Sequence, residues 1–120
     1  MSRNALHMIR DGDVLILSRR PGLRAAGPGV WAETRLPLGL RASTLAHEVR
    51  KDVWRALRSL RGLLPVVQIW PCQEAPGLRV RAGGMVTPSP PVVLQTKLQA
   101  VLNDRDIRAR WIAHARRHPS

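Results

Sequence analysis

Apolar residues recur at three- and four-residue intervals from Leu40 to Leu64, and that spacing predicts one long amphipathic helix. At 100° per residue, Leu45, Val49, Val53, Ala56, Leu57, Leu60, Leu63 and Leu64 fall in a stripe about 120° wide. This is the width of a helix side turned to a core. Ser43 or Thr44 is placed to cap the start with a hydroxyl. Glu48 and Asp52 lie early, and Arg58 and Arg61 late, which suits the helix dipole. Gly62 offers a stop, with Pro65 beyond it. The opposite side carries Arg50, Lys51, Arg55, Arg58 and Arg61, with Trp54 among them. Trp54 has two readings: a contact surface framed by cations, or a second packing layer under a strand or a dimer mate.

Alternating patterns lie on either side of this helix. Residues 5–19 read as a β-hairpin turning at Asp11-Gly12, which pairs Ile9 with Val14, Met8 with Leu15, His7 with Ile16 and Leu6 with Leu17. Both faces of that hairpin are mostly apolar, so each needs a cover, a helix on one side and a partner chain on the other. Residues 18–29 form a basic loop, and residues 30–38 a third strand that Pro37 ends or confines to an edge. Val66–Cys72 and Leu78–Met85 form a second hairpin around residues 74–77. Residues 91–102 are helical by pattern, and Asn103 or Asp104 either caps a new helix or lies within a continuing one. Ile107, Trp111 and Ala115 make a narrow apolar seam, and Asp104–Arg108 and Asp106–Arg110 have ion-pair spacing. The predicted fold class is α+β in the order ββ(β)–α–ββ–α. A small antiparallel sheet from two hairpins carries the long central helix, and a C-terminal helix packs on it. One domain over residues 1–120 is expected, ending in a frayed basic helical tail from residue 110.

Composition adds a bias in partner. The net charge is +12, from 18 Arg and 2 Lys against 8 acidic residues. Such self-repulsion is relieved by an anionic partner, and arginine favours bidentate contact with phosphate or carboxylate. GC-rich coding is a competing source of arginine. The chain has 4 Trp but neither Phe nor Tyr, which counts against sheet-borne Phe/Tyr base stacking and suggests a phage or viral accessory frame. Cys72 is alone, so no internal disulfide forms. No apolar run is long enough for a membrane span or a leader, which gives the expectation of a soluble intracellular protein, cytoplasmic or nuclear.

Candidate chemistry is sparse. His114 and His118 have helical ligand spacing, but Pro119 follows at once and no second ligand pair supports them, so no metal and no cofactor are expected. Ser18, Ser43, Ser59 and Cys72 lack a nucleophile signature. Glu48 and Asp52 would act together only if both were exposed, and Lys51 and Arg55 beside them favour ion pairing. Residues 8–33, MIRDGDVLILSRRPGLRAAGPGVWAE, followed by His47-Glu48-Val49-Arg50-Lys51-Asp52, resemble the opening of a Nudix hydrolase. That family's helix carries Arg-Glu-apolar-x-Glu-Glu to hold magnesium. Glu48 and Asp52 match its first and last acids, while Lys51 replaces the middle acid and His47 the arginine. The loop before the helix is shortened and lacks the family's Gly-Gly and Glu. These departures fall on the metal-holding positions, so the resemblance implies a degenerate Nudix-like domain without catalysis.

The leading expectation is therefore a non-enzymatic nucleic-acid-binding protein, for DNA or RNA, that grips phosphate with little base reading. Its contacts would come from Arg19, Arg20 and Arg24 in the loop and from Arg50, Lys51, Trp54, Arg55, Arg58 and Arg61 on the central helix. Arg105, Arg108, Arg110, Arg116 and Arg117 would supply the C-terminal part. Trp54 or Trp111 would add stacking. The alternative is a protein-interaction module, a homodimer or a binder of an acidic protein surface, such as a viral accessory protein, an inhibitor or an assembly subunit.

Overall fold

Five strands and three helices are described, over residues 6–19, 29–58, 64–85 and 92–116 of a computed structural model. They run β1 (His7–Asp11), β2 (Val14–Ser18), β3 (Gly29–Leu36), α1 (Ala42–Leu57), β4 (Leu64–Pro71), β5 (Leu78–Met85), α2 (Val92–Asn103) and α3 (Arg105–Ala115). The sheet is antiparallel, in the order β1-β2-β4-β5-β3. This is the expected α+β architecture of two hairpins with helices laid on the sheet. No helix among the described residues is long and apolar enough to cross a membrane.

The first hairpin turns one residue later than its sequence suggests. Asp11 pairs with Val14, so the turn is Gly12-Asp13, and Ile9 faces Ile16 rather than Val14. Only Gly12 takes a positive φ there, at 60°. That is the signature of a type II′ turn, with glycine at the first central position. A type I′ turn at Asp11-Gly12 would have forced Asp11 into the left-handed region. The register changes by two residues, so each side chain keeps its face.

Alternation sorts the sheet into two faces. Leu17, Val30, Ala32, Leu36, Val67, Ile69, Val80 and Ala82 point to the helices and join Leu45, Val49, Val53, Leu57, Leu98, Leu102 and Trp111 in one core. The other face holds a smaller apolar cluster of Ile16 and Val66, with Val14 and Trp31 packed against it. Gly83 lies within β5, between Trp31 and Val66 in the register. Its φ is 154°, and a Cβ there would lie 1.9 Å from the Val30 carbonyl oxygen. Only glycine lets β5 run so close to β3.

The central helix is shorter than its pattern. It starts after Arg41, which caps it without a side-chain bond, and Ser43 and Thr44 are inside it. Its start is satisfied from elsewhere: the Arg41 N–H donates to the Ala115 carbonyl at 2.6 Å. A free donor of one helix start thus meets a free acceptor at another helix end. Leu45, Val49, Val53, Ala56 and Leu57 are buried as the stripe requires. Leu64 and Pro65 open β4 instead of closing the helix, because the helical stripe runs straight into a strand of equal apolarity. Leu60, Arg61, Gly62 and Leu63 lie outside the described residues.

Asp104 ends the ambiguity between one C-terminal helix and two. Its carboxylate accepts from the amides of Asp106 and Ile107, each at 2.9 Å, and so starts α3 as a separate helix. α3 stays helical to Ala115, with Trp111 and Ala115 fully buried, and Arg116 makes an isolated bridge to Leu40. The rest of the expected tail, residues 117–120, lies outside the described residues.

The two edges of the sheet differ. The outer edge of β3 is closed by α2 and α3. Gln95 accepts from the Trp31 N–H at 3.0 Å and donates to the Trp31 carbonyl, and Gln99 donates to the Glu33 carbonyl at 2.8 Å. Arg108 donates to the Arg35 carbonyl at 2.8 Å and to the Thr34 hydroxyl. Backbone groups that would otherwise offer a free edge are thereby occupied. Among the described residues the edge of β1 has no such cover, and His7, Met8 and Arg10 are exposed. Replacing both glutamines (Gln95→Ala with Gln99→Ala) should lower unfolding free energy by about 1–3 kcal/mol. Urea denaturation measures this, and an unchanged midpoint would show that water replaces the glutamines without loss.

Candidate nucleic-acid interface

α1 and α3 lie antiparallel, and the seam between them concentrates the exposed cations. An acidic i,i+4 pair meets a basic residue and a histidine, also i,i+4, across it. On α1, Glu48 and Asp52 face Arg110 and His114 of α3, so that Glu48 meets His114 at 3.4 Å and Asp52 meets Arg110. Asp52 is only 8% exposed. Its Oδ2 also accepts from the indole Nε1 of Trp111 at 2.7 Å, and Arg55 stands 3.7 Å from Oδ1. Trp111 is 0% exposed, so its N–H needs a buried acceptor, and Asp52 supplies it. Along the seam, Glu48, Lys51, Asp52, Arg55, Arg110 and His114 line a shallow groove of about 150 Å³.

The Glu48 carboxyl lies below the usual glutamate range, chiefly because Lys51 Nζ donates to it at 2.8 Å. Both carboxylates of the resemblance to the Nudix helix are thus held by basic partners from α1 and α3. Among the described residues no three His, Cys, Asp or Glu side chains converge as a metal site would require.

The expected contact residues separate into groups. Lys51, Trp54, Arg55 and Arg58 are exposed along the outer side of α1, and Arg110 joins them from α3. Trp54 is 41% exposed, so no strand of its own chain packs over it, and a contact with another molecule is the reading that stays open. Arg50 is half-buried with its Nε unpartnered, at the margin of this strip. Arg108 is taken up by the edge of β3 and is not a free cation. Trp111 is enclosed and cannot stack on a base. The local pairs Asp104–Arg108 and Asp106–Arg110 do not form, because the two arginines reach across to other elements. Arg105 and Arg116 are exposed, and Arg19 is half-buried at the end of β2. Arg20, Arg24, Arg61 and Arg117 lie outside the described residues, as does His118.

Two members of the strip were not foreseen. Arg41 is exposed at the start of α1, beside Arg116 at the end of α3. His114 is exposed in the groove. The 100° rule places Arg41 on the same flank as Glu48 and Asp52, a signal present in the sequence. The strip therefore carries Arg41, Lys51, Arg55, Arg58, Arg110 and Arg116, with His114 beside them, against two carboxylates. From residue 41 to 58 it is about 25 Å long.

The other charged cluster is balanced. On the sheet face away from the helices, Glu33 pairs with Arg79 at 3.2 Å and with Arg81 at 3.0 Å, and Glu74 pairs with Arg79 at 3.1 Å. Arg81 also stands 5.9 Å from the Trp31 ring centre. Glu74 is held low by Arg79. The Cys72 thiol is lowered by the backbone amide of Glu74. Arginines so paired offer little to an external anion.

Comparison of the chain with protein-family models, with curated proteins and with solved structures finds no match.

Removing the buried carboxylate should unfasten α3. Asp52→Ala is expected to lower unfolding free energy by about 2–4 kcal/mol, since it leaves the buried indole N–H unpaired and removes the partner of Arg110. Asp52→Asn, which keeps an acceptor, should lose less; urea unfolding read by tryptophan fluorescence orders the three proteins. Glu48 sets an acid limb. Its folded value is depressed, so its contribution is present above the unfolded value and is lost as pH falls through the folded one. Glu48→Gln should flatten the decline in stability below about pH 4.5, and an unchanged acid limb would assign that decline to other carboxylates.

Proposed function

We propose that the protein binds nucleic acid without catalysis, holding phosphates along the α1–α3 seam with little reading of bases. One observation supports this most directly. An exposed Trp54 stands in a strip of exposed Arg and Lys, beside an antiparallel helix that adds Arg110 and Arg116. The cations serve phosphate oxygens, and arginine does so in a bidentate fashion. The indole offers a flat face on which a base can stack. Stacking of this kind needs an unpaired base, so single strands are favoured over duplex.

Fluorescence anisotropy with a labelled single-stranded oligonucleotide and its duplex tests the proposal. If about four phosphates are neutralised, log K against log salt should have a slope of about −3 on the single strand. The triple variant Lys51→Glu, Arg55→Glu, Arg58→Glu should abolish binding at moderate salt while leaving the circular dichroism unchanged. Trp54→Ala should weaken single-strand binding by about tenfold or more and leave the salt slope in place. A flat salt dependence, or binding that ignores the triple variant, would overturn the proposal.

A further inference from the structure

The edge of β1 differs from that of β3 in what its backbone groups meet. In a two-residue hairpin, the pair flanking the turn exchanges both hydrogen bonds. Asp11 with Val14 is that pair, followed by Ile9 with Ile16 and His7 with Ser18. The backbone N–H and C=O groups of Met8 and Arg10 therefore point away from β2. They have no partner among the described residues, and both side chains are exposed. At the opposite edge every second residue of β3, from Trp31 to Arg35, has a backbone group capped by a side chain. Among the described residues, the fold closes one edge and leaves the other open.

We infer that two copies join antiparallel through β1 about a two-fold axis at Ile9, giving one continuous sheet. Only this register lets the outward groups of Met8 and Arg10 bond those of Arg10 and Met8 in the second copy. Four backbone hydrogen bonds form around a close Ile9–Ile9 contact. The same register sets His7 opposite Asp11 of the second copy, twice, an imidazole across from a carboxylate on each side of the axis. Ile9 lies on the sheet face that carries Ile16 and Val66, and the paired isoleucines extend that apolar cluster across the axis. The axis stands perpendicular to the sheet. The helices of both copies then lie on one side, and the α1–α3 seam is free in each. The interface uses no residue of that seam, so it stands apart from nucleic-acid binding.

Sedimentation velocity across a micromolar concentration series tests the inference on the full chain without nucleic acid. The protein should sediment as a dimer at the upper end. Met8→Pro removes an outward N–H that makes no bond within one copy, and an edge strand tolerates proline. It should remain monomeric with an unchanged circular dichroism spectrum. His7→Asp sets like charges opposite one another and should raise the dimer Kd by about tenfold. Adding Asp11→Lys to that variant should restore association. A wild-type monomer throughout the series overturns the inference. So does a folded Met8→Pro protein that associates like wild type. Should Met8→Pro fail to fold, an unchanged Kd for His7→Asp overturns it equally.

Discussion

A carboxylate taken almost out of water at the α1–α3 contact governs the arrangement of the helices. Apolar burial alone would hold α3 against α1, but it has no direction and tolerates rotation and sliding. Asp52 removes that freedom. Its desolvation is offset only when Arg110 and the Trp111 indole both reach it. Those two donors are adjacent in sequence and leave α3 about 100° apart, so satisfying both fixes the rotation of the helix. The bond from the Arg41 N–H to the Ala115 carbonyl fixes the sliding at the far end. The placement of the cation strip follows, since Arg110, His114 and Arg116 are carried wherever α3 is set.

The closure of β3 shows a similar fit between two periodicities. Four residues of helix advance about 6 Å, and two residues of strand advance about 6.7 Å. Glutamines at 95 and 99 on α2 can therefore serve the backbone at 31 and 33 on β3, each with an extended side chain. The mismatch grows with each repeat, and the next backbone group, at Arg35, is served by α3 through Arg108. α2 and α3 together cover what neither would cover alone. The break between them at Asp104 is thus part of the closure, because a single straight helix would have drifted off the strand.

Much of this fold is legible in the sequence, and the reasons for the rest are physical. Period-two and period-3.6 patterns locate all five strands and the helices, because each element buries one side. The end of α1 is not legible, since an apolar run at 60, 63 and 64 fits a helix stripe and a strand entry equally well. The turn at Gly12 is misplaced by one residue because both Asp11-Gly12 and Gly12-Asp13 are good turn pairs, and the choice depends on which residue must take positive φ. The roles of Arg108, Arg110 and Gln95 are invisible locally. An arginine four residues after an aspartate reads as a helix pair, and only the tertiary arrangement offers each of these side chains a better partner. Asp52 is the instructive case. Its neighbours Lys51 and Arg55 suggest an exposed ion pair, whereas the deciding partner is an indole 59 residues later.

The same distinction bears on the meaning of the arginine content. GC-rich coding can account for how many arginines the chain has, but not for where the fold places them. Arg79 and Arg81 are neutralised by Glu33 and Glu74 on the sheet. Arg108 caps a strand edge. Among the described residues, Arg10, Arg35 and Arg105 are exposed elsewhere, while Arg41, Arg55, Arg58, Arg110 and Arg116, with Lys51, gather along one seam, and two of the chain's 8 acidic residues are there as well. Those acids do not cancel the strip. Glu48 and Asp52 are turned inward to fasten α3 and sit lower than the cations they pair with: Asp52 has 9% of its side chain exposed, against 64% for Arg55 and 44% for Arg110. An anion approaching from solvent meets the guanidinium groups first, with the compensating charge behind them. The structural ion pairs thus leave a positive outer layer, and the interaction that orders the helices also presents their cations.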